Sequence, residues 1–181
     1  MDIKKTASLF ANFTIKRIAE IFGITILGAG VLLLLALLTY SPEDPNFIFP
    51  ENTKITNILG FHGSFVSDLF FQSIGLVSYL FSFTLIVTGI NIIRSKEFFL
   101  IIENIFFAII YSLLGTLFFA HFYSEAFTLY INGNGGFIGA YLNQTFLNSI
   151  ILVNEVIFYY LLIFLIIFLF LIYQFSSKKI L

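Results

Sequence analysis

VLLLLALLTYSPEDPNF, residues 31–47, decides how the rest of the chain is to be understood. Its first eight residues are apolar without interruption, whereas the next nine hold Pro42, Pro45, Glu43 and Asp44 and no basic residue. Each proline lacks an N–H and biases the residue before it away from helical geometry, so a helix running through the leucines stops here. Which side of a membrane this stop faces depends on the charges elsewhere in the chain.

Of the 181 residues, 59% are hydrophobic and only 10% charged, and mean hydropathy is +1.01. An ordinary soluble domain carries roughly 25% charged residues. The chain is therefore an integral membrane protein. Its net charge of −1, with basic residues in short groups beside apolar runs, leaves no electrostatic footprint for gripping DNA. The absence of cysteine excludes disulfides, thiolate-bound zinc and thiol nucleophiles.

Crossing the hydrocarbon takes about 20 apolar residues, and four segments qualify, at about 19–40, 68–93, 98–122 and 147–173. The first is too long for the 7–15-residue core of a signal peptide and no A-x-A site follows it, so it is expected to be retained. Lys4, Lys5, Lys16 and Arg17 precede the first segment, Arg94 and Lys96 sit in the turn at 94–97, and Lys178 and Lys179 follow the fourth. Eight of the nine basic residues thus share one side, and only Lys54 lies opposite. The positive-inside rule makes that side cytoplasmic. The expectation is an all-α integral membrane fold, a single domain over 1–181 with both termini inside. Two outer, periplasmic loops at about 41–67 and 123–146 would hold turns or short helices and the acidic residues Glu43, Asp44, Glu51 and Glu125.

In NILGFHGSFVSDLFF, residues 57–71, Gly60 and Gly63 permit a turn, Ser64 is an expected N-cap, and Ser67 and Asp68 would fall in the first turns of the second helix. Ser78, Ser82 and Gly89 in the second helix, and Ala108, Ser112 and Gly115 in the third, form faces of small residues that let backbones approach. Gly23, Gly28 and Gly30 offer the same in the first. The fourth, VIFYYLLIFLIIFLFLIY from Val156 to Tyr173, has no Gly, Ala or Ser and is expected to lie outermost.

NGNGGFIGAYL, residues 132–142, looks superficially like a nucleotide loop, but no strand precedes it and it lacks GxxxxGK[ST]. A tight turn leading into a short interfacial helix is the better expectation, with Phe137, Ile138, Tyr141 and Leu142 against the bilayer or the bundle. His62 and His121 are the only histidines and each stands alone, so a catalytic metal is not expected. Glu103 and Glu155 fall inside apolar segments, where a carboxylate is by default a functional candidate. Glu155 shares a helical stripe with Asn148 and Tyr159, and a hydrogen-bonded helix contact is expected of it in preference to an ion relay.

These pieces in order resemble the four-helix N-terminal membrane domain of the FtsK-type, or SpoIIIE-type, bacterial DNA translocases. The resemblance rests on the Leu-rich helix running into Tyr40, Ser41 and Pro42 with Asp44 and Pro45, on Gly60, Gly63, Asp68, Gly75 and Tyr79 leading into the second helix, and on Gly135, Gly136, Ile138 and Gly139. It implies a multi-pass protein of the bacterial inner membrane at the division septum, which anchors a hexameric ATPase and links chromosome segregation to cell division. It implies the lipid bilayer, further copies of the chain and septal proteins as partners, and DNA only through a motor domain. Neither a Walker A motif nor a DNA-reading domain stands in these residues, so neither ATP hydrolysis nor a cofactor is expected of them, whether the chain is part of a longer protein or a separate membrane module. Ser41, Pro42, Asp44, Pro45, Gly60, Gly63, Gly135, Gly136 and Gly139 would then shape a partner-facing surface, the alternative for each being a turn and nothing more. The rival from another class is a small transporter or channel subunit, which would need a polar path through mid-membrane, a broken helix or an inverted repeat.

Overall fold

The computed structural model describes residues 3–45, 54–124 and 132–176. Glu51, Glu125, Lys178 and Lys179, which enter the charge pattern above, lie outside them. The described elements are all helical, and four stretches are long and apolar enough to cross a membrane.

Helix α1, Ile3–Leu38, begins well before the expected position 19. Nothing between Ile3 and Phe22 is Gly or Pro, so no residue there interrupts helix propagation. At 1.5 Å per residue its 36 residues reach about 54 Å, far beyond a bilayer core of about 30 Å. Glu20 meets Lys96 at 2.9 Å and Arg17 at 2.5 Å, which marks the level of the basic turn on α1. Residues 3–18 therefore run past that turn.

The second span is α2, Gly60–Ile74, a single 3-10 turn at Gly75–Val77, and α3, Ser78–Ser95. It starts eight residues before the expected Asp68. Lys96 ends α3 in the left-handed region, φ 62°, and its N–H closes on the Ile92 carbonyl at 2.7 Å. After this turn α4, Leu100–Phe122, returns the chain to the loop end, opposite Lys96. Glu103 falls in its first turn and is exposed, close to where the sequence puts it.

The segment expected as one helix over 147–173 is divided. Helix α6, Phe146–Val153, stops at Asn154, and α7, Glu155–Ser176, forms the fourth span. Asn154 is the cause, because its side-chain oxygen accepts the Ile157 N–H at 3.1 Å and caps α7. Glu155 is thus the exposed first residue of α7, where the helix dipole favours a carboxylate, and the expected helix-packing contact through it does not form. Its stripe partners are engaged elsewhere: Asn148 with His121 of α4, and the Tyr159 hydroxyl with that of Tyr123.

Helix α1 packs along α3 most closely of all. A Cβ at Gly89 would stand 2.5 Å from the Leu27 backbone nitrogen, and one at Gly30 2.8 Å from that of Ile86, so the two backbones touch. Without a hydrophobic drive between helices in lipid, such close van der Waals approach holds spans together. Gly89 therefore faces α1, while on α4 Gly115 meets Val77 and Ala108 joins a buried cluster with Val77 and Tyr111. Ser78 and Ser82 are fully buried and turn their hydroxyls back onto carbonyls of the same span, that of Gly75 in the 3-10 turn and that of Tyr79 in α3. Helix α7 lies against α4 through Phe118, Leu162 and their neighbours, with most of its other side chains exposed, at the edge of the bundle.

Candidate functional site at the loop end

The sequence-marked residues converge at the loop end, where they join the exit of α1, the start of α2 and the second loop. Asp44 is only 1% exposed. Its carboxylate accepts the Thr56 N–H and the Thr56 hydroxyl, each at 2.8 Å on one oxygen, and the Asn57 N–H at 2.8 Å on the other. Three donors on an anion make a strong clamp, since charge-assisted bonds exceed neutral ones. Asn57 then donates its side-chain amide to the Ala36 and Thr39 carbonyls, at 2.9 and 3.3 Å. Those are carbonyls at the end of α1, where proline-induced termination leaves acceptors without intrahelical partners. TYSPEDPNF therefore stops α1, and through Asp44 it also supplies the clamp for the residue that caps it.

The same exit meets the second span. The Tyr40 hydroxyl donates to the Asp68 carboxylate at 3.1 Å, while its ring lies edge-on to Phe71 at 4.9 Å. Tyr79 donates to the Leu37 carbonyl at 3.3 Å. Ser64 donates to the Pro45 carbonyl at 3.0 Å and so ties the loop down; it does not cap α2, which begins earlier, at Gly60. Gly63 accommodates the Asn57 side chain, whose oxygen would lie 2.1 Å from a Cβ there.

The second loop locks onto the break in the second span. Gly75, with φ 59° and ψ −141°, occupies a region nearly closed to residues with a Cβ, and a Cβ there would stand 1.9 Å from the Asn134 carbonyl oxygen. That carbonyl accepts the Leu76 N–H at 2.9 Å, and the Asn132 amide donates to the Gln72 carbonyl at 3.3 Å and to its side-chain oxygen at 3.1 Å. Two backbone groups beside the break are thus satisfied by the loop, a condition for irregular backbone at membrane depth. Asn134 itself is fully buried and donates to the Tyr123 carbonyl.

From this turn α5, Gly136–Asn143, runs back onto α4. Gly135 and Gly139 each approach the Thr116 carbonyl so closely that a Cβ would sit 2.4 Å from it. Thr116 lies six residues, about 9 Å, before the end of α4, so α5 is tucked into the bundle and not laid flat on it. Gly135 and Gly139, four residues apart, thus serve a helix contact within one chain. Ile138 and Leu142 face the bundle and Phe137 and Tyr141 are exposed, which divides the expected four between the two environments. A bend of 71° then leads into α6, which His121 Nδ1 holds at 2.8 Å from the Asn148 side-chain oxygen.

Of the residues expected to shape a partner surface, Asp44, Pro45, Gly63, Gly135, Gly136 and Gly139 are buried, so they act from beneath it. Gly75 is buried as well. Pro42 is exposed, and Ser41 and Gly60 are half-exposed. Sequence reasoning passed over Asn57, Asn132 and Asn134, and also two polar contacts between α3 and α4: Asn104 to Thr88 and Tyr111 with Thr84, each at 2.6 Å. The i, i+4 spacing of Thr84 and Thr88 was the available signal.

Fold and site together define a four-span helical membrane domain whose loop end is closed by a hydrogen-bonded polar cap. The family model described as the 4TM region of DNA translocase FtsK/SpoIIIE matches residues 15–181, and the chain belongs to this family. It is 29% identical over 98 residues to the DNA translocase FtsK of Rhizobium meliloti (strain 1021), a stretch covering 54% of this chain and 11% of that protein. To the DNA translocase FtsK of Caulobacter vibrioides it is 36% identical over 68 residues, 38% of this chain and 8% of the relative. To that of Brucella melitensis biotype 1 it is 33% identical over 69 residues, again 38% and 8%. The matched region is thus about a tenth of the length of these relatives, and the chain is a DNA translocase membrane domain. No solved structure matches it.

Proposed function

We propose that the chain is the anchor and oligomerisation module of a DNA translocase, holding a cytoplasmic motor at the division septum of the bacterial inner membrane. It works by position and not by chemistry, and DNA is handled by a motor outside these residues. The observation that carries this is the family match across residues 15–181. Two features support the proposed orientation. An even number of spans returns the chain to the end where it began, and that end carries Arg17, Arg94 and Lys96. The basic end is then cytoplasmic and the polar cap periplasmic. Further copies of the chain, forming a hexamer, and septal proteins are the proposed partners.

The broken second span is the feature a transporter would share, since discontinuous helices there leave backbone groups free to bind ions. Here the Gln72 carbonyl and the Leu76 N–H are taken by Asn132 and Asn134, which favours a structural break.

The test is a fluorescent protein fused after Leu181 and imaged in dividing cells, because a GFP-type reporter exported unfolded stays dark. A bright band at midcell is the expected result. A bright, uniform membrane signal would sink septal targeting by this module, and a dark fusion would overturn the orientation.

A further inference from the structure

An apolar groove of about 350 Å³ opens between α2, α3 and α4 under the end of α5. Leu69, Phe70, Phe81, Ile109, Leu113 and Ile138 line it, and Ser73 and Ser112 form the low points among these large side chains. Ile109 and Leu113 each lie about 14 Å from the nearer end of α4, which puts the groove at mid-span. Its rim is continuous with the lipid-facing surface, since Leu69 is 54% and Ile109 53% exposed.

We infer that this groove binds one acyl chain of a membrane lipid. Water is excluded by the chemistry, because apolar cavities stay dry. The body of a helix from a second copy does not fit: helices are 10–12 Å across, so two turns would need on the order of 1,000 Å³, and only a single side chain of such a helix would enter. A single hydrocarbon chain is narrow enough, is present at that depth, and is offered contact along one side by aliphatic and aromatic residues on three helices of two spans. Ile138 of α5 closes the groove from above, so the occupant also supports the tucked helix. The Ser112 hydroxyl has no hydrogen-bond partner, and a hydrocarbon chain gives it none. What Ser112 contributes is its small volume, as does Ser73.

The absence of tryptophan allows a direct test on the full chain. Phe81→Trp is placed in vesicles of dioleoylphosphatidylcholine or of the same lipid brominated across its double bonds, which quenches indoles in contact with the chain. The indole of this variant is expected to be quenched about as strongly as that of Phe164→Trp, a lipid-exposed position on α7. Adding Ser112→Leu or Ser73→Leu fills the groove and is expected to remove most of the quenching. In the unsubstituted chain, a phosphatidylcholine carrying a diazirine on its acyl chain is expected to label Ile138. Lack of quenching at position 81, quenching that both fillers leave unchanged, or no adduct on Ile138 would each overturn the inference. Quenching lost as the protein-to-lipid ratio rises would overturn it too, naming a side chain of a second copy as the occupant.

Discussion

Asp44 stabilises the loop end by accepting three hydrogen bonds on a buried carboxylate, so its removal leaves the buried Asn57 N–H short of a partner and turns the two donors of the exposed Thr56 to water. Orphaned buried donors cost about 1–3 kcal/mol each when nothing replaces the acceptor. Asp44→Ala is therefore expected to lower unfolding free energy by about 2 kcal/mol, read from denaturant titration in mild detergent. Lys54→Ala, on an exposed side chain of the same loop, is expected to stay within about 0.5 kcal/mol of the parent. Ser112 is the opposite case. Its hydroxyl already lacks a partner, and Ser112→Ala is expected to be neutral or to raise the midpoint slightly, because an unsatisfied polar group is removed from an apolar site. A clear loss of stability would mean that the hydroxyl has an acceptor after all.

At the scale of elements, the break in the second span exists because the second loop occupies it. Gly75→Ala would force a Cβ into the Asn134 carbonyl and into a backbone region that alone costs about 1–3 kcal/mol. The expected outcome is loss of the loop from the break, seen as new proteolysis near Asn132 while the spans stay helical by circular dichroism. Unchanged cleavage would show that the loop is held elsewhere. The boundary between α6 and α7 rests on one side chain. Asn154→Ala removes the cap on Ile157, at about 1 kcal/mol, and is expected to speed amide exchange in the first turn of α7 about fivefold. The apolar sequence around it explains why a single span was expected there: the run from Ile150 to Ile172 continues on both sides of Asn154 and Glu155, and hydropathy over the segment does not register the polar pair at which the chain turns.

The molecule as a whole has a basic end tied by Glu20 and Lys96 and a loop end tied by Asp44, Asn57 and Asn134, with three spans between them in close contact and α7 at the edge. In the proposed orientation, Pro42→Cys in this cysteine-free chain is labelled by a membrane-impermeant maleimide in intact cells, with outer membrane opened. Glu97→Cys, exposed in the turn between α3 and α4, is labelled only after the inner membrane is permeabilised. The reverse pattern would invert the topology. The Glu20 to Lys96 pair is half-exposed, and Lys96→Ala is expected to cost no more than about 1 kcal/mol in the same denaturant titration.

The sequence by itself determined the class, the number of spans and the family, because span length, hydropathy and charge asymmetry are local properties that a bilayer reads one segment at a time. It also marked Tyr40, Asp44, Asp68, Gly75 and Gly139, and these do meet at the loop end. Only the tertiary structure decided what they do there. Asp44 holds Thr56 and Asn57 across a loop, Gly75 fits Asn134 across some sixty residues, and Gly139 rests on Thr116 of another helix, so each role is set by a partner distant in the chain. Three asparagines at the loop end carried no signal of their own, since an amide's use depends on which unpaired backbone group folding brings beside it.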